Sequence, residues 1–390
     1  LPMVEIRETQ MGGKLRDFLN VVSDIYRDCP EYIRSLDMDL SDRLTPGKNP
    51  FFEHGEGVLF TAHKAGRCVG RISAQIDHSH LSRYNDATGF FGFLDTFDDQ
   101  EVATALLEHA EQWLRQKGMK RVRGPISLNV NEELGCLIDG FDTSPYLMMP
   151  HHRPYQAKLI EGAGYQKAKD FFAWSYETGD LNARTKKAHE EFTKMPEVKV
   201  RTFDMDNLGR DVDIAVEIFN DAWSDNWGFV PLTRSEAQKM AKDFKLILVK
   251  DLTKMVEIDG EAAAMAVAVP NINDLVKDLD GKLFPTGLFK LLYRLKVVGP
   301  SSARLMLLGI RKKYRNVRKY AAMSVFLYGE MNNAGRRVGT TRGELSWTLE
   351  DNAPVNTAIK LVGGKKYKTY RVYEKSRWRR IMPGKEVANR

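Results

Sequence analysis

Residues 58–77 (VLFTAHKAGRCVGRISAQID) are two short apolar runs that break at Ala65-Gly66, the pattern of a β-hairpin. The pattern returns at 254–269 (KMVEIDGEAAAMAVAV), which breaks at Asp259-Gly260. Residues 88–118 open with a glycine-containing apolar strand, cross a polar loop and continue with helical spacing to a glycine stop. Residues 305–335 repeat that order, and Gly92 to Gly118 and Gly309 to Gly335 each span 26 residues. A third pair, 159–177 and 359–375, is a helix end, a glycine and a strand rich in aromatics. The copies are offset by 217, 194 and 200 residues, so loop lengths differ while the order of elements is kept. Each half reads helix, hairpin, strand, helix, strand, helix, strand. This predicts an α/β protein made by tandem duplication, each half a mixed, mostly antiparallel sheet flanked by helices. The polar stretch 181–196 reads as a linker helix between residues 1–180 and 197–390.

A different pattern stands at 283–298, LFPTGLFKLLYRLKVV. Leu288, Leu291, Leu292 and Leu295 fall on one helical face, and Lys290 and Arg294 on another. Pro285 and Gly287 suit the helix start, and Gly299-Pro300 its stop. Three readings fit: a core-facing helix with solvated cations, an interfacial helix on an anionic membrane, or the wall of an acyl tunnel.

Length and charge narrow the classes. At 390 residues the chain suits two domains. A net charge of +7 and a pI of about 9.0 favour anionic partners. Nucleic acid finds no further support, since neither zinc spacing nor an aromatic-glycine ribonucleoprotein motif is present. Cys29, Cys68 and Cys136 lack paired spacing, which predicts free thiols in a reducing compartment. His151-His152 and the pair His78 and His80 lack a third ligand, so no metal site is expected. Glu5, Arg7 and Glu8 interrupt any signal-like apolar run, and no stretch of about 18 apolar residues could span a bilayer. The expectation is a cytoplasmic protein.

The two strand–loop–helix steps differ in charge. In LDTFDDQE, Asp95, Asp98 and Asp99 crowd the helix start, where they can cap it but would repel a phosphate. In IRKKYRNVRKY, Arg311, Lys312, Lys313, Arg315, Arg318 and Lys319 are six cations in nine residues. Placed between a strand and a helix, they suit a pyrophosphate. A solvated basic face is the alternative.

This second step, LLGIRKKYRNVRKYAAMSVF (307–326), is similar to the coenzyme-binding step of the GNAT superfamily of acyl-CoA N-acyltransferases, present here twice in tandem. The family's loop, Gln/Arg-x-x-Gly-x-Gly/Ala, is altered: no glycine follows Arg311 until Gly329. The first half lacks the signature. Residues 49–74, 123–165, 219–233 and 343–375 resemble a bacterial tandem-GNAT group that includes the ceramide synthases, which join a long acyl chain from acyl-CoA to the amine of a sphingoid base. The resemblance implies that the second half binds acyl-CoA. Backbone N–H groups near Leu308, Gly309 and Ile310 would polarise the thioester. It also implies that the degenerate first half shapes the acceptor side. A lipid amine and a long acyl chain would bring the protein to the inner face of the inner membrane. A same-fold enzyme for an amino acid or cell-wall precursor, and a non-catalytic acyl-CoA or lipid binder, remain open at this point.

Amide formation needs a neutral amine, a stabilised oxyanion and a thiolate that can leave. In GELSWTLEDN, alternation puts Glu344, Ser346, Thr348 and Glu350 on one face. Glu350, at the strand end beside Asn352, is the preferred base, although a surface acid or a helix cap would look the same. Glu236 is the second choice, although Thr233-x-x-Glu236 also reads as a capping box. The tyrosine that many family members use as general acid falls on Ile359. Trp223, Trp227, Phe229 and Trp347 are candidates for a substrate pocket or for core packing. Asn129, Asn131 and Glu132 form a polar loop that could face the acceptor across the domain interface.

Overall fold

The computed structural model describes residues 3–299 and 301–376; Pro300, half of the predicted helix stop, lies outside them. The first half begins β1 (Glu5–Gln10), α1 (Arg16–Ile25), α2 (Asp37–Arg43), β2 (Gly55–Lys64), β3 (Arg67–Asp77), α3 (His78–Tyr84), β4 (Thr88–Thr96) and α4 (Gln100–Gln116). It continues with β5 (Arg121–Gly124), β6 (Ile126–Ser127), β7 (Glu133–Leu134), β8 (Cys136–Asp139), α5 (Gln156–Gly162) and β9 (Gln166–Glu177). After α6 (Ala183–Thr193) come β10 (Val198–Arg201), α7 (Leu208–Ala222), α8 (Arg234–Phe244), β11 (Thr253–Ile258), β12 (Glu261–Pro270), α9 (Asn273–Val276) and α10 (Gly287–Tyr293). The second half ends with β13 (Ser302–Ile310), α11 (Lys312–Arg315), α12 (Met323–Arg337), β14 (Arg342–Leu349), α13 (Ala353–Leu361) and β15 (Lys365–Lys375).

Local chemistry accounts for the repeat. Both hairpin turns place two residues at positive φ, Ala65 (49°) with Gly66 (76°) and Asp259 (50°) with Gly260 (82°). That pair of left-handed residues matches the twist of the strands it joins. In α4, Asp99 accepts from the N–H groups of Glu101 and Val102, and Val102, Leu106, Leu107, Ala110 and Leu114 are buried at helical spacing. Each such leucine contributes about 1.5–3 kcal/mol by leaving water.

Among the described residues, thirteen strands form one sheet in the order β1-β2-β3-β4-β5-β15-β9-β14-β13-β12-β11-β10, with β8 also on β15, and only β4 with β5 and β13 with β14 are parallel. The two halves exchange their last strands: β15 lies against β5 of the first half, and β9 against β14 of the second. β15 and β9 then pair with each other at the centre. One hydrophobic core forms between the sheet and α4 around Leu106 and Phe91, and another around Phe326, Leu327 and Ile359 on α12 and α13.

Candidate active site

Each parallel pair opens into a cleft, because the two strands pair for only part of their length. In the first half the pairing ends at Phe90 with Arg123. The gap beyond is filled: a Cβ on Gly92 would lie 2.4 Å from the Ile126 carbonyl oxygen, and Gln75 Nε2 donates to that oxygen at 2.5 Å. Every residue of β4 is buried. In the second half the pairing ends at Leu305 with Leu345, and Met306, Leu307 and Leu308 stay half-buried. The Arg311 N–H bonds to the Ala263 carbonyl at 2.9 Å. Strand alternation therefore turns the N–H groups of Leu308 and Ile310 away from β12 and into the open cleft.

The basic loop is heavily paired. Arg311 binds Glu217 at 3.0 Å, Lys312 binds Asp225 at 2.6 Å, Lys313 binds Glu261 and Lys319 binds Glu197. Arg315 donates to the carbonyls of Ile310 and Ala222, and the Lys312 N–H is taken by the Asp221 carboxylate at 2.6 Å. Arg318 has no partner among the described residues. Among the described residues no side chain caps the start of α12, in contrast to α4.

A cavity of ≈ 540 Å³ lies between the halves. Its apolar end is built by Met240, Phe244 and Ile247 around α8 and by Leu288, Leu291, Leu292 and Leu295 of the 283–298 segment. Its polar end carries Arg71, Asp95, Ser127, Asn129, His152 and Glu236. Leu147, Met148 and Met149 line the side nearest the second cleft, where the Ser346 hydroxyl reaches Met149 Sδ at 3.6 Å.

Glu236 ties the two halves together at this polar end. Its Oε1 accepts from Asn129 Nδ2 at 3.1 Å and lies 2.9 Å from His54 Nε2, and its Oε2 accepts the Thr233 N–H at 2.8 Å. His54 Nδ1 lies 3.0 Å from Asp77. Hydrogen bonds to Asp77 and then Glu236 raise His54 to about 10, so it is an imidazolium at neutral pH. Burial alone would raise Glu236, but the His54 and Thr233 hydrogen bonds hold it below the usual carboxylate range.

No family model matches the chain. It is 41% identical over 371 residues to the bacterial ceramide synthase of Caulobacter vibrioides (strain NA1000 / CB15N), covering 93% of this chain and 95% of that protein. It is 40% identical over 363 residues to Protein YghO of Escherichia coli (strain K12), covering 93% and 92%. A tandem GNAT protein from the clavulanic acid biosynthesis pathway shares the fold, with a TM-score of 0.56 at 11% identity over 95% of this chain and 98% of that one. A GCN5-related N-acetyltransferase from Sphaerobacter thermophilus gives 0.54 at 12% identity over 95% of each chain.

The chain belongs to the bacterial ceramide synthase group of tandem GNAT proteins.

As a member of that group it is an acyl-CoA-dependent N-acyltransferase. Of the residues singled out in the sequence of this acyltransferase, Glu236, Asn131 and Glu132 line the cavity, with Glu132 paired to Arg43 at 2.9 Å. Leu308, Gly309 and Ile310 border the second cleft, and Trp223 packs against Gly309, where an added Cβ would be 2.3 Å from its ring. Trp227 lies over Phe171 and Arg123, and Phe229 packs on Phe219. Trp347 meets Tyr370 and Arg304. Glu350 and Asn352 sit apart from the cavity: Glu350 pairs with Lys167 at 2.7 Å, and Asn352 caps α13. Ile359, at the family's tyrosine position, is buried in the core of the second half. His54 and Asp77 were not singled out in the sequence, because their link to Glu236 spans 182 residues. A lone histidine carries no such signal. Among the described residues, no helix is long and apolar enough to cross a membrane, and no group of three or more His, Cys, Asp or Glu could hold a metal ion.

Proposed function

We propose that this acyltransferase moves a long-chain acyl group from acyl-CoA to the amine of a sphingoid base, peripherally at the inner face of the inner membrane. The observation that carries the reading is the cavity, whose leucine-lined end suits a hydrocarbon chain and whose other end gathers charged groups of both halves around Glu236. A ceramide synthase at 41% identity supports the same substrate class.

In this reading acyl-CoA enters the open cleft of the second half. Its thioester carbonyl meets the N–H groups of Leu308 and Ile310, which stabilise the oxyanion. Its phosphates meet Arg318 and the start of α12, and compete with Asp221 and Asp225 for Lys312. The neutral amine attacks the carbonyl carbon, the C–S bond breaks, and the amine's surplus proton is passed on while coenzyme A leaves as thiol. Purified protein with palmitoyl-CoA tests this directly. Thiol release that depends on an added sphingoid base, with an amide of matching mass, is the expected result. Thiol release with amino acids alone would redirect the acceptor.

Membrane contact is supported by a helix that is apolar on two sides. The leucine face lines the cavity, while Phe289, Tyr293 and Val297 point outward at 74%, 62% and 64% exposure, with Lys290 and Lys296 beside them. A soluble surface helix has one apolar stripe, so the second stripe suits a lipid layer. Co-sedimentation with anionic vesicles is expected, and it should fall when Phe289 and Tyr293 are both changed to serine. Equal sedimentation of that variant would remove this segment from the interface.

A further inference from the structure

A second cluster of buried charge lies where the second cleft opens. Arg304 and Glu344 face each other across the parallel pair β13 and β14, one position before the pairing ends. They are 3% and 0% exposed, yet each is turned to another partner. Arg304 Nη1 donates to the Leu147 carbonyl at 2.6 Å, and its Nε has no hydrogen-bond partner among the described residues. Glu344 accepts from the Tyr367 hydroxyl through Oε2, and its Oε1, with the Ser346 hydroxyl close to the carboxyl, has no well-formed hydrogen bond among the described residues. The Trp347 ring centroid lies 4.6 Å from the Arg304 guanidinium carbon, and Trp347 Nε1 is also buried without a partner. One acceptor and two donors are thus left open within one small region. Leaving such buried groups unpaired is costly, so an occupant that both donates and accepts is called for.

The location fits a reacting group. Ser346, the next residue on the Glu344 face, touches Met149, and Met149 and Leu147 are cavity wall. Leu147 and Met149 therefore stand between the cluster and the cavity, touching both. Burial raises Glu344 to about 7, against the opposing pull of the Tyr367 hydroxyl, Arg304, the Ser346 hydroxyl and Lys368, with Tyr146 and Tyr370 also facing it, so it can take and return a proton near neutrality. Glu236 is less suited, because His54, Asn129 and the Thr233 N–H already occupy its oxygens.

We propose that Glu344, Arg304 and Trp347 form the subsite for the acceptor's polar head, a primary amine with a neighbouring hydroxyl. The ammonium binds at Glu344 Oε1, and the hydroxyl oxygen takes the N–H groups of Trp347 and Arg304. The proposal rests on the N-acyltransferase reading and adds the step that readies the amine. Glu344 takes one proton from the ammonium, and the freed nitrogen lone pair forms the C–N bond. As the C–S bond breaks, the second surplus proton goes to the thiolate, giving coenzyme A thiol. Glu344 then releases its proton to water.

The test is calorimetry of a short-chain 2-amino-1,3-diol on the full chain at pH 6, pH 7 and pH 8. Binding by the unaltered protein should strengthen between those values as Glu344 ionises. Glu344→Gln should weaken it about tenfold or more at pH 8 and remove the strengthening between pH 6 and pH 7, below the range where Lys368, lowered to about 8 by burial, loses its charge; Trp347→Phe should weaken it less. Acyl-CoA affinity should be unchanged in both. An amino-diol affinity in Glu344→Gln equal to that of the unaltered protein overturns the assignment and leaves the cluster as a water site. If that variant does not fold, Tyr367→Phe decides. Loss of its hydrogen bond should move the pH midpoint of binding upward, and an unmoved midpoint overturns the proposal. Failure of the unaltered protein to release thiol with any amine would count against the function reading, whereas the amino-diol affinities judge the subsite separately.

Discussion

The first-half cleft is closed by its own chain, and the second-half cleft is open. The duplicated frame is the same, with two short parallel pairings between a bulged strand and its neighbour. The difference is a few residues of backbone. Ile126 and Ser127 lie against β4 so tightly that residue 92 has no room for a Cβ, and the Phe93 N–H reaches the Ser127 hydroxyl at 3.4 Å. Among the described residues of the second half, β13 keeps two N–H groups facing the gap. Helix starts diverged in the same direction. Asp99 seals α4 with a carboxylate, whereas α12 starts uncapped beside six cations. In the proposed reading one copy serves as wall and acceptor surface, and the other offers the geometry that an acyl thioester requires.

The largest effect should come from removing one cleft N–H. Leu308→Pro takes away a donor that faces the gap and leaves the β12 ladder intact. Turnover of palmitoyl-CoA should fall by about 10²–10³, the loss typical of one oxyanion donor. A variant that keeps its melting temperature and its turnover would show that the second cleft does not hold the thioester. The matching test in the closed cleft is Gly92→Ala. The new methyl meets the Ile126 carbonyl and should destabilise the fold by about 1–3 kcal/mol in a denaturant titration. KM for acyl-CoA should not move. A raised KM would mean that both clefts serve the donor.

A smaller effect concerns the bridge between the halves. The folded state raises His54 to about 10, above the 6.5 of the free side chain. Its stabilising contribution is therefore fully present below pH 6.5 and disappears as pH rises through 10. His54→Gln should lower the melting temperature at pH 6 and have little effect at pH 10. An equal loss at both values would mean that His54 acts by packing rather than by its charge on Asp77 and Glu236.

Much of this difference between the halves was legible in the residues, as far as it is local. Glycine punctuation and alternation gave the two hairpins and both strand–loop–helix steps, because turn geometry is set by two or three residues. The acid-against-base contrast at the helix starts was equally visible. The strand exchange was not: β9 and β15 are both aromatic-rich strands after a glycine, and nothing within either chooses its partner. The basic loop showed its cations but not Asp221, Asp225, Glu261 and Glu197, which come from distant elements. The leucine face at 283–298 was plain, but that it would wall a cavity depended on α8 and the 147–149 loop arriving opposite.

The smallest predicted effect separates two glutamates that alternation put on one face. Glu350, at the end of β14, is partly exposed, paired with Lys167 and bonded to the Asp170 N–H. Glu344, six residues earlier, is fully buried beside Arg304 and the Tyr367 hydroxyl. Position along the strand could not rank them, because the burial that distinguishes them comes from elements distant in sequence. Glu350→Gln removes one surface ion pair, worth at most about 1 kcal/mol of stability. It should leave kcat/KM for both substrates within about twofold, since a surface ion pair contributes little. A loss of about 10² or more, the scale of general-base catalysis, would instead place proton transfer at the strand end. The acceptor would then approach from the Lys167 side rather than through the cavity.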